Sequence, residues 1–99
     1  MDRLTIVKVG GKVVEEPELL DRLLDAFTTI TGYKILVHGG GKAATDLAAR
    51  LGVETKMVDG RRITDLETLE IVTMVYGGLI NKRVVAGLQA RNCNALGLT

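Results

Sequence analysis

Apolar residues fall into two kinds of run along this chain. Short runs rich in β-branched residues, Leu4–Val9 and then Ile35-Leu36-Val37, each end against glycines or a histidine followed by glycines. Their length and composition predict buried strands. Elsewhere the apolar residues recur at helical spacing. Leu20, Leu23, Leu24 and Phe27 follow Pro17, which suits a first helical turn, and Glu15, Glu16 and Glu18 favour a helix N-terminus there. Gly32 is a stop signal for this helix. Ala44, Leu47, Ala48 and Leu51 repeat the spacing in a second helix that Gly52 closes.

Strand, helix, strand, helix in that order predicts parallel strands joined by helical crossovers, an α/β layered fold. Residues 55–58 and 62–63 flank Asp59-Gly60 and read as a small hairpin. Thr64 and Glu67 have capping-box spacing ahead of a long helical stretch reaching about residue 91. Its predicted apolar stripe is Leu66, Leu69, Val72, Tyr76, Leu79 and Ile80. Gly77-Gly78 inside it, each roughly 1 kcal/mol worse than alanine in a helix, predicts a kink or a close helix contact. Ala95-Leu96-Gly97-Leu98 then reads as the start of another strand, so the chain reads as interrupted rather than finished.

Composition narrows the classes of function. A chain of 99 residues holds one core. Its 13 Lys and Arg nearly balance 12 Asp and Glu, so no overall field draws it onto nucleic acid or anionic lipid. Phe27, Tyr33 and Tyr76 are the only aromatics and offer little for base stacking. No nucleic-acid partner is expected. Cys93 is the single cysteine, which excludes an intrachain disulfide and points to a reducing compartment. The apolar run after Met1 is too short for a signal-peptide core, and no apolar stretch approaches the ~20 residues of a membrane span. The expectation is a cytoplasmic protein that makes no use of a membrane.

Glycine marks the candidate chemistry. Lys8-Val9-Gly10-Gly11-Lys12 follows the first strand, and His38-Gly39-Gly40-Gly41-Lys42 follows the second. Open parallel sheets bind ligands outside the carboxyl ends of their strands, so both turns belong to one edge. Exposed amides at such turns suit phosphate, and Lys8 can add a fixed positive charge. That set fits phosphoryl transfer, which depends on positioning and charge neutralisation. Plainer readings stand beside it. Each glycine pair alone is a tight turn, Lys8 alone is an edge lysine, and His38, with no acidic or hydroxyl neighbour, reads as a turn residue rather than a catalyst. Lys12 and Lys42 are assigned no role. The Walker loop fails around Gly41-Lys42, where Leu36 and Ala43 occupy its first and last positions. Gly39, Gly41 and Ala44 formally satisfy a dinucleotide fingerprint, with Asp59 as ribose acid, which keeps an NAD-binding oxidoreductase domain as an alternative.

Lys8-Val9-Gly10-Gly11, Leu36-Val37-His38-Gly39-Gly40-Gly41, Gly60-Arg61-Arg62-Ile63-Thr64-Asp65 and Asn81-Lys82, taken in order, resemble the acetylglutamate kinases of the amino acid kinase family. The resemblance runs over nearly the whole chain. It implies a three-layer α/β/α sandwich with a mainly parallel sheet, of which residues 1–99 form the N-terminal, acetylglutamate-binding part. It also implies transfer of the ATP γ-phosphoryl group to N-acetyl-L-glutamate in arginine synthesis. By that resemblance Lys8 stabilises the transferring group, Gly10 and Gly11 cradle ATP phosphates, Gly40 and Gly41 approach the substrate, and Arg62 holds its α-carboxylate. Without it, Arg62 is an exposed hairpin charge. ATP comes with Mg2+, for which no ligand falls in this chain. N-succinylglutamate and carrier-bound aminoadipate remain as alternative acceptors. The resemblance further implies a homodimer of the arginine-insensitive kind and, since the family's remaining machinery lies downstream, no turnover by these residues alone.

Overall fold

A computed structural model describes residues 3–54 and 56–99, and the side chains of all of these but Lys56, Met57, Arg62 and Ile63. Strand β1 (Leu4–Val9) and strand β2 (Tyr33–His38) pair in parallel, from Leu4 opposite Tyr33 to Val9 opposite His38. Successive strand residues point to opposite faces, and burial follows that period of two. Thr5, Val7, Val9, Lys34, Leu36 and His38 are half-buried, and Val7, Val9 and Leu36 pack on the helical core. Leu4, Ile6, Lys8, Tyr33, Ile35 and Val37 are exposed. The described residues therefore build a sheet with one helical layer, and its second face is open.

Where the sequence predicts one helix after β1, two are present: α1 (Gly11–Glu15) and α2 (Pro17–Thr28). Glu16 separates them in an extended conformation, φ −95° and ψ 118°. A residue ahead of proline is pushed out of the helical region by the ring, which is why Pro17 both ends α1 and opens α2. The Lys34 ammonium donates to the carbonyls of Phe27 and Ile30 at 2.8 and 2.9 Å, satisfying the end of α2. Helix α3 (Gly41–Arg50) follows β2, and Gly52 beyond it takes φ +74°. Val14, Leu20, Leu24, Phe27, Ala44 and Ala48 are the buried residues of these three helices.

The predicted hairpin forms as β3 (Lys56–Val58) and β4 (Arg61–Ile63), paired antiparallel. Asp59 and Gly60 turn it with φ of 51° and 76°, the mirror-image geometry that suits the strand twist. Thr55, placed in the hairpin from sequence, lies outside the described residues.

The long helix corrects four expectations. It begins at α4 (Leu66–Val72) under an Asp65 cap, whose carboxylate accepts from the Thr68 amide at 2.8 Å. Thr64 is not the cap; the carboxylate one residue later reaches the first-turn amide itself. The helix then passes through a π-helical segment (Thr73–Ile80) before α5 (Asn81–Ala90). Its buried face is Thr68, Ile71, Val75, Ile80, Asn81, Val84 and Leu88, while Leu66, Leu69 and Leu79 of the predicted stripe are exposed. The step of five from Val75 to Ile80 is the signature of the wider turn, and it carries the buried face round by one residue. Gly77-Gly78 sits inside that turn, so the pair marks a change of helix type. Finally, Leu66–Ala90 runs 25 residues and holds an 18-residue window of mean hydropathy 1.2, long and apolar enough by length and composition to cross a membrane. Counting only unbroken apolar runs overlooked this, because Lys82 and Arg83 interrupt it. In this fold its buried residues belong to the common core.

Residues 93–99 form no strand, against expectation. Side chains of the long helix take up their carbonyls: Gln89 Nε2 donates to Ala95 and Asn81 Nδ2 to Leu98, both at 3.0 Å, and Lys82 Nζ to Gly97 at 3.3 Å. These bonds tie three carbonyls of the segment to the long helix in place of a strand ladder. Arg91 bonds Asp25 at 2.8 Å and Asp21 at 3.3 Å, joining the end of α5 to α2.

Candidate active site

Parallel register brings Val9 opposite His38, so the two glycine turns leave the same rim of the sheet. They also touch. A Cβ on Gly11 would fall 3.3 Å from the Gly40 nitrogen and 3.4 Å from that of Gly41; one on Gly39 would fall 3.5 Å from the Gly11 nitrogen. Backbone meets backbone here, at a spacing that an added side chain would crowd by a few tenths of an ångström. A Cβ on Gly40 would meet Tyr76 Cδ1 and Ile80 Cγ1, both at 3.3 Å. The sequence reading invoked substrate approach for the bare Gly40; packing against the π-helical segment is a second reason, and it seats that segment on the rim.

Lys8 is the penultimate residue of β1, opposite Val37, with an exposed side chain on the open face of the sheet. Among the described residues no hydrogen bond or ion pair engages its ammonium. Gly10, exposed and extended, and Gly11, the first residue of α1, lie immediately beyond it. Gly41 opens α3. The structure thus gathers Lys8, Gly10, Gly11, Gly40 and Gly41 at one end of the sheet. Arg62 sits in β4 opposite Met57, but its side chain lies outside the described residues, so its substrate-holding role rests on sequence alone. Asp59, the ribose acid of the dinucleotide reading, is a turn residue of the hairpin.

His38 has a partner that sequence reasoning missed. Its Nδ1 lies 2.9 Å from the Gly39 carbonyl and its Nε2 lies 3.3 Å from Asn81 Nδ2. A neutral ring with the proton on Nδ1 donates to the carbonyl and accepts from the amide, satisfying both nitrogens. Asn81, buried at the start of α5, uses its other amide hydrogen on the Leu98 carbonyl and accepts from Lys82 Nζ at 3.0 Å. His38 is accordingly a brace between β2 and the long helix, in keeping with its reading as a structural residue. An asparagine in the apolar register of a helix was the signal available for Asn81. Among the described residues no three of His, Cys, Asp and Glu converge as metal ligands.

The model of the Amino acid kinase family matches residues 3–99. The chain belongs to the amino acid kinase family. Among curated relatives it is 68% identical to the acetylglutamate kinase of Parabacteroides distasonis, over all of this chain and 39% of that protein. It is 67% identical to the acetylglutamate kinase of Phocaeicola vulgatus, over 99% of this chain and 38% of that one. The acetylglutamate kinase of Methanopyrus kandleri is 46% identical over 97% of the chain and 36% of its own length. This amino acid kinase chain therefore spans about two-fifths of the length of these relatives. A crystal structure from Streptococcus mutans superposes with a TM-score of 0.70 over 90% of this chain and 37% of its own, at 23% identity, a likeness of fold.

Proposed function

We propose that this chain is the acetylglutamate-binding lobe of an ATP-dependent N-acetyl-L-glutamate 5-phosphotransferase of arginine biosynthesis. The observation that carries the proposal is the backbone contact of the two glycine turns on one rim, beside Lys8. The names of relatives identical at two positions in three support the choice of acceptor. In the reaction an oxygen of the acetylglutamate side-chain carboxylate attacks the γ-phosphorus of ATP. The bond to ADP breaks, and an acyl phosphate forms. Both reactants are anions, so amides of Gly10 and Gly11 on the ATP phosphates, Lys8 on the transferring group, and Arg62 on the α-carboxylate supply the opposing charge. Gly40 and Gly41 let the acceptor approach. Mg2+ arrives with ATP as its counter-ion. An ATP-using reaction and the unpaired Cys93 support a cytoplasmic setting.

Trapping the product as a hydroxamate tests the reading. The full-length gene product is expected to phosphorylate N-acetyl-L-glutamate faster than N-succinyl-L-glutamate or a carrier-bound aminoadipate, with ATP and not NAD as the ligand seen by calorimetry. The 99-residue chain alone is expected to show no turnover. NAD binding without ATP binding would sink the proposal.

The proposal includes a homodimer. Leu66, Leu69, Met74 and Leu79 leave the long helix with exposed apolar side chains around Gly77-Gly78. A helix face of this kind is stabilised by a matching face. Sedimentation of the full-length protein is expected to give a dimer, and Leu69→Glu with Met74→Glu a folded monomer. A double variant that sediments with the parent would place the subunit contact elsewhere.

A further inference from the structure

The short helix α1 does not merely follow the first glycine turn; both of its ends are fastened to the second. At its start, Gly11 lies against the Gly40 and Gly41 backbone. At its end, the Glu15 carboxylate accepts a hydrogen bond through Oε1 from the Ala43 amide in the first turn of α3. Between them Val14 is buried in the core, which stops α1 from rolling. Glu15 Oε2 is also buried and has no hydrogen-bond partner among the described residues. A carboxylate in that condition is held by its surroundings. The positive end of α3 faces it, and the same cleft of about 290 Å³ is lined by Lys12, Lys42 and Arg83 along with Glu16 and Asp46. Strand pairing fixes where the turns leave the sheet, and α1 adds a second tie between them across the rim.

We infer that Glu15 is a positioning residue: it locks α1 onto α3 and so sets the spacing at which the two glycine turns hold phosphate and acceptor. The inference rests on the phosphoryl-transfer reading of this rim. In that reaction donor and acceptor approach in line, and a displacement of about 1 Å lowers the rate by about 10²-fold. A carboxylate is needed for its oxygen at one place and not for proton transfer, so an amide oxygen at the same place should serve.

The test compares the full-length protein with Glu15→Ala and Glu15→Gln. Each is measured for kcat and KM where circular dichroism shows it folded, and for hydrogen exchange at the Ala43 amide. Glu15→Ala is expected to lower kcat by about 10²-fold with KM for ATP changed less than about threefold, and to speed Ala43 exchange by about tenfold. Glu15→Gln is expected to keep slow Ala43 exchange and a kcat within about threefold of the parent. The inference is overturned if Glu15→Gln is as slow as Glu15→Ala. It is equally overturned if Glu15→Ala loses thermal stability alone, with parental kcat in the folded protein. Should the parent transfer no phosphate to any acylated amino acid, the functional reading fails by itself. The exchange arm then decides the lock, and equal Ala43 exchange in parent and Glu15→Ala removes it.

Discussion

Replacing Lys8 with alanine in the full-length protein is expected to lower kcat by about 10²- to 10³-fold, the range seen when one preorganised charge-stabilising donor is lost. The thermal midpoint should stay near that of the parent, because substitutions at exposed positions away from special features usually cost within about 0.5 kcal/mol. Lys8 meets that condition: its side chain is exposed, and among the described residues nothing binds its ammonium. On the proposed function, a lysine that no described residue engages, fixed by a strand at the rim where two glycine turns meet, answers charge that arrives with substrate. Developing charge on the transferring phosphoryl is stabilised only if the ammonium is already in place, so the loss should fall on kcat more than on KM. Steady-state kinetics beside a thermal melt separates the two. Parental kcat in the alanine variant would return Lys8 to the status of an edge lysine.

Gly11→Val is expected to cost about 10²-fold in activity and about 1–3 kcal/mol in stability, with Gly11→Ala intermediate on both scales. The reason is what the new atoms would meet. The first carbon already lies 3.3 Å from the Gly40 nitrogen and 3.4 Å from the Gly41 nitrogen, and backbone cannot rotate away as a side chain can. Gly40 in turn is backed by Tyr76 and Ile80, so the second turn has little room to retreat. Alanine is favoured over glycine in a helix by roughly 1 kcal/mol, and this partly offsets the crowding in the smaller variant. Activity, which depends on the separation of the turns, has no such offset. Urea denaturation and kcat measured on the same preparations check the ordering. Equal activity across parent, alanine and valine would mean that the turns do not share a reaction.

The glycines and their neighbours were readable from the chain because each acts locally. Gly10-Gly11 and Gly39-Gly40-Gly41 follow strands that their own β-branched composition announces, and the α/β order of elements puts both turns on one edge. The capping residue was missed by one position because Thr64 and Asp65 are both good caps, and only geometry shows whose oxygen reaches the Thr68 amide. The buried stripe of the long helix failed for a deeper reason. Counting by 3.6 assumes one helix type throughout, and the π-helical segment changes the count between Val75 and Ile80. Gly77-Gly78 marks the place but not the helix type; the contact of Tyr76 and Ile80 with Gly40, outside the helix, accompanies the wider turn.

The amino-acid sequence alone supplied most element types, the parallel α/β class, the rim at which Lys8 and the glycine turns emerge, and the resemblance that led to the family. These follow from periodicity, turn chemistry and motif order, properties of residues close together in the chain. Tertiary structure alone decided that the turns touch, that Asn81 satisfies His38 from 43 residues away, that Glu15 holds the start of α3, and that residues 93–99 lie against a helix without a strand partner. Each of these is a contact between distant segments, set by how far apart the packed layers come to rest, and local pattern carries no measure of that distance.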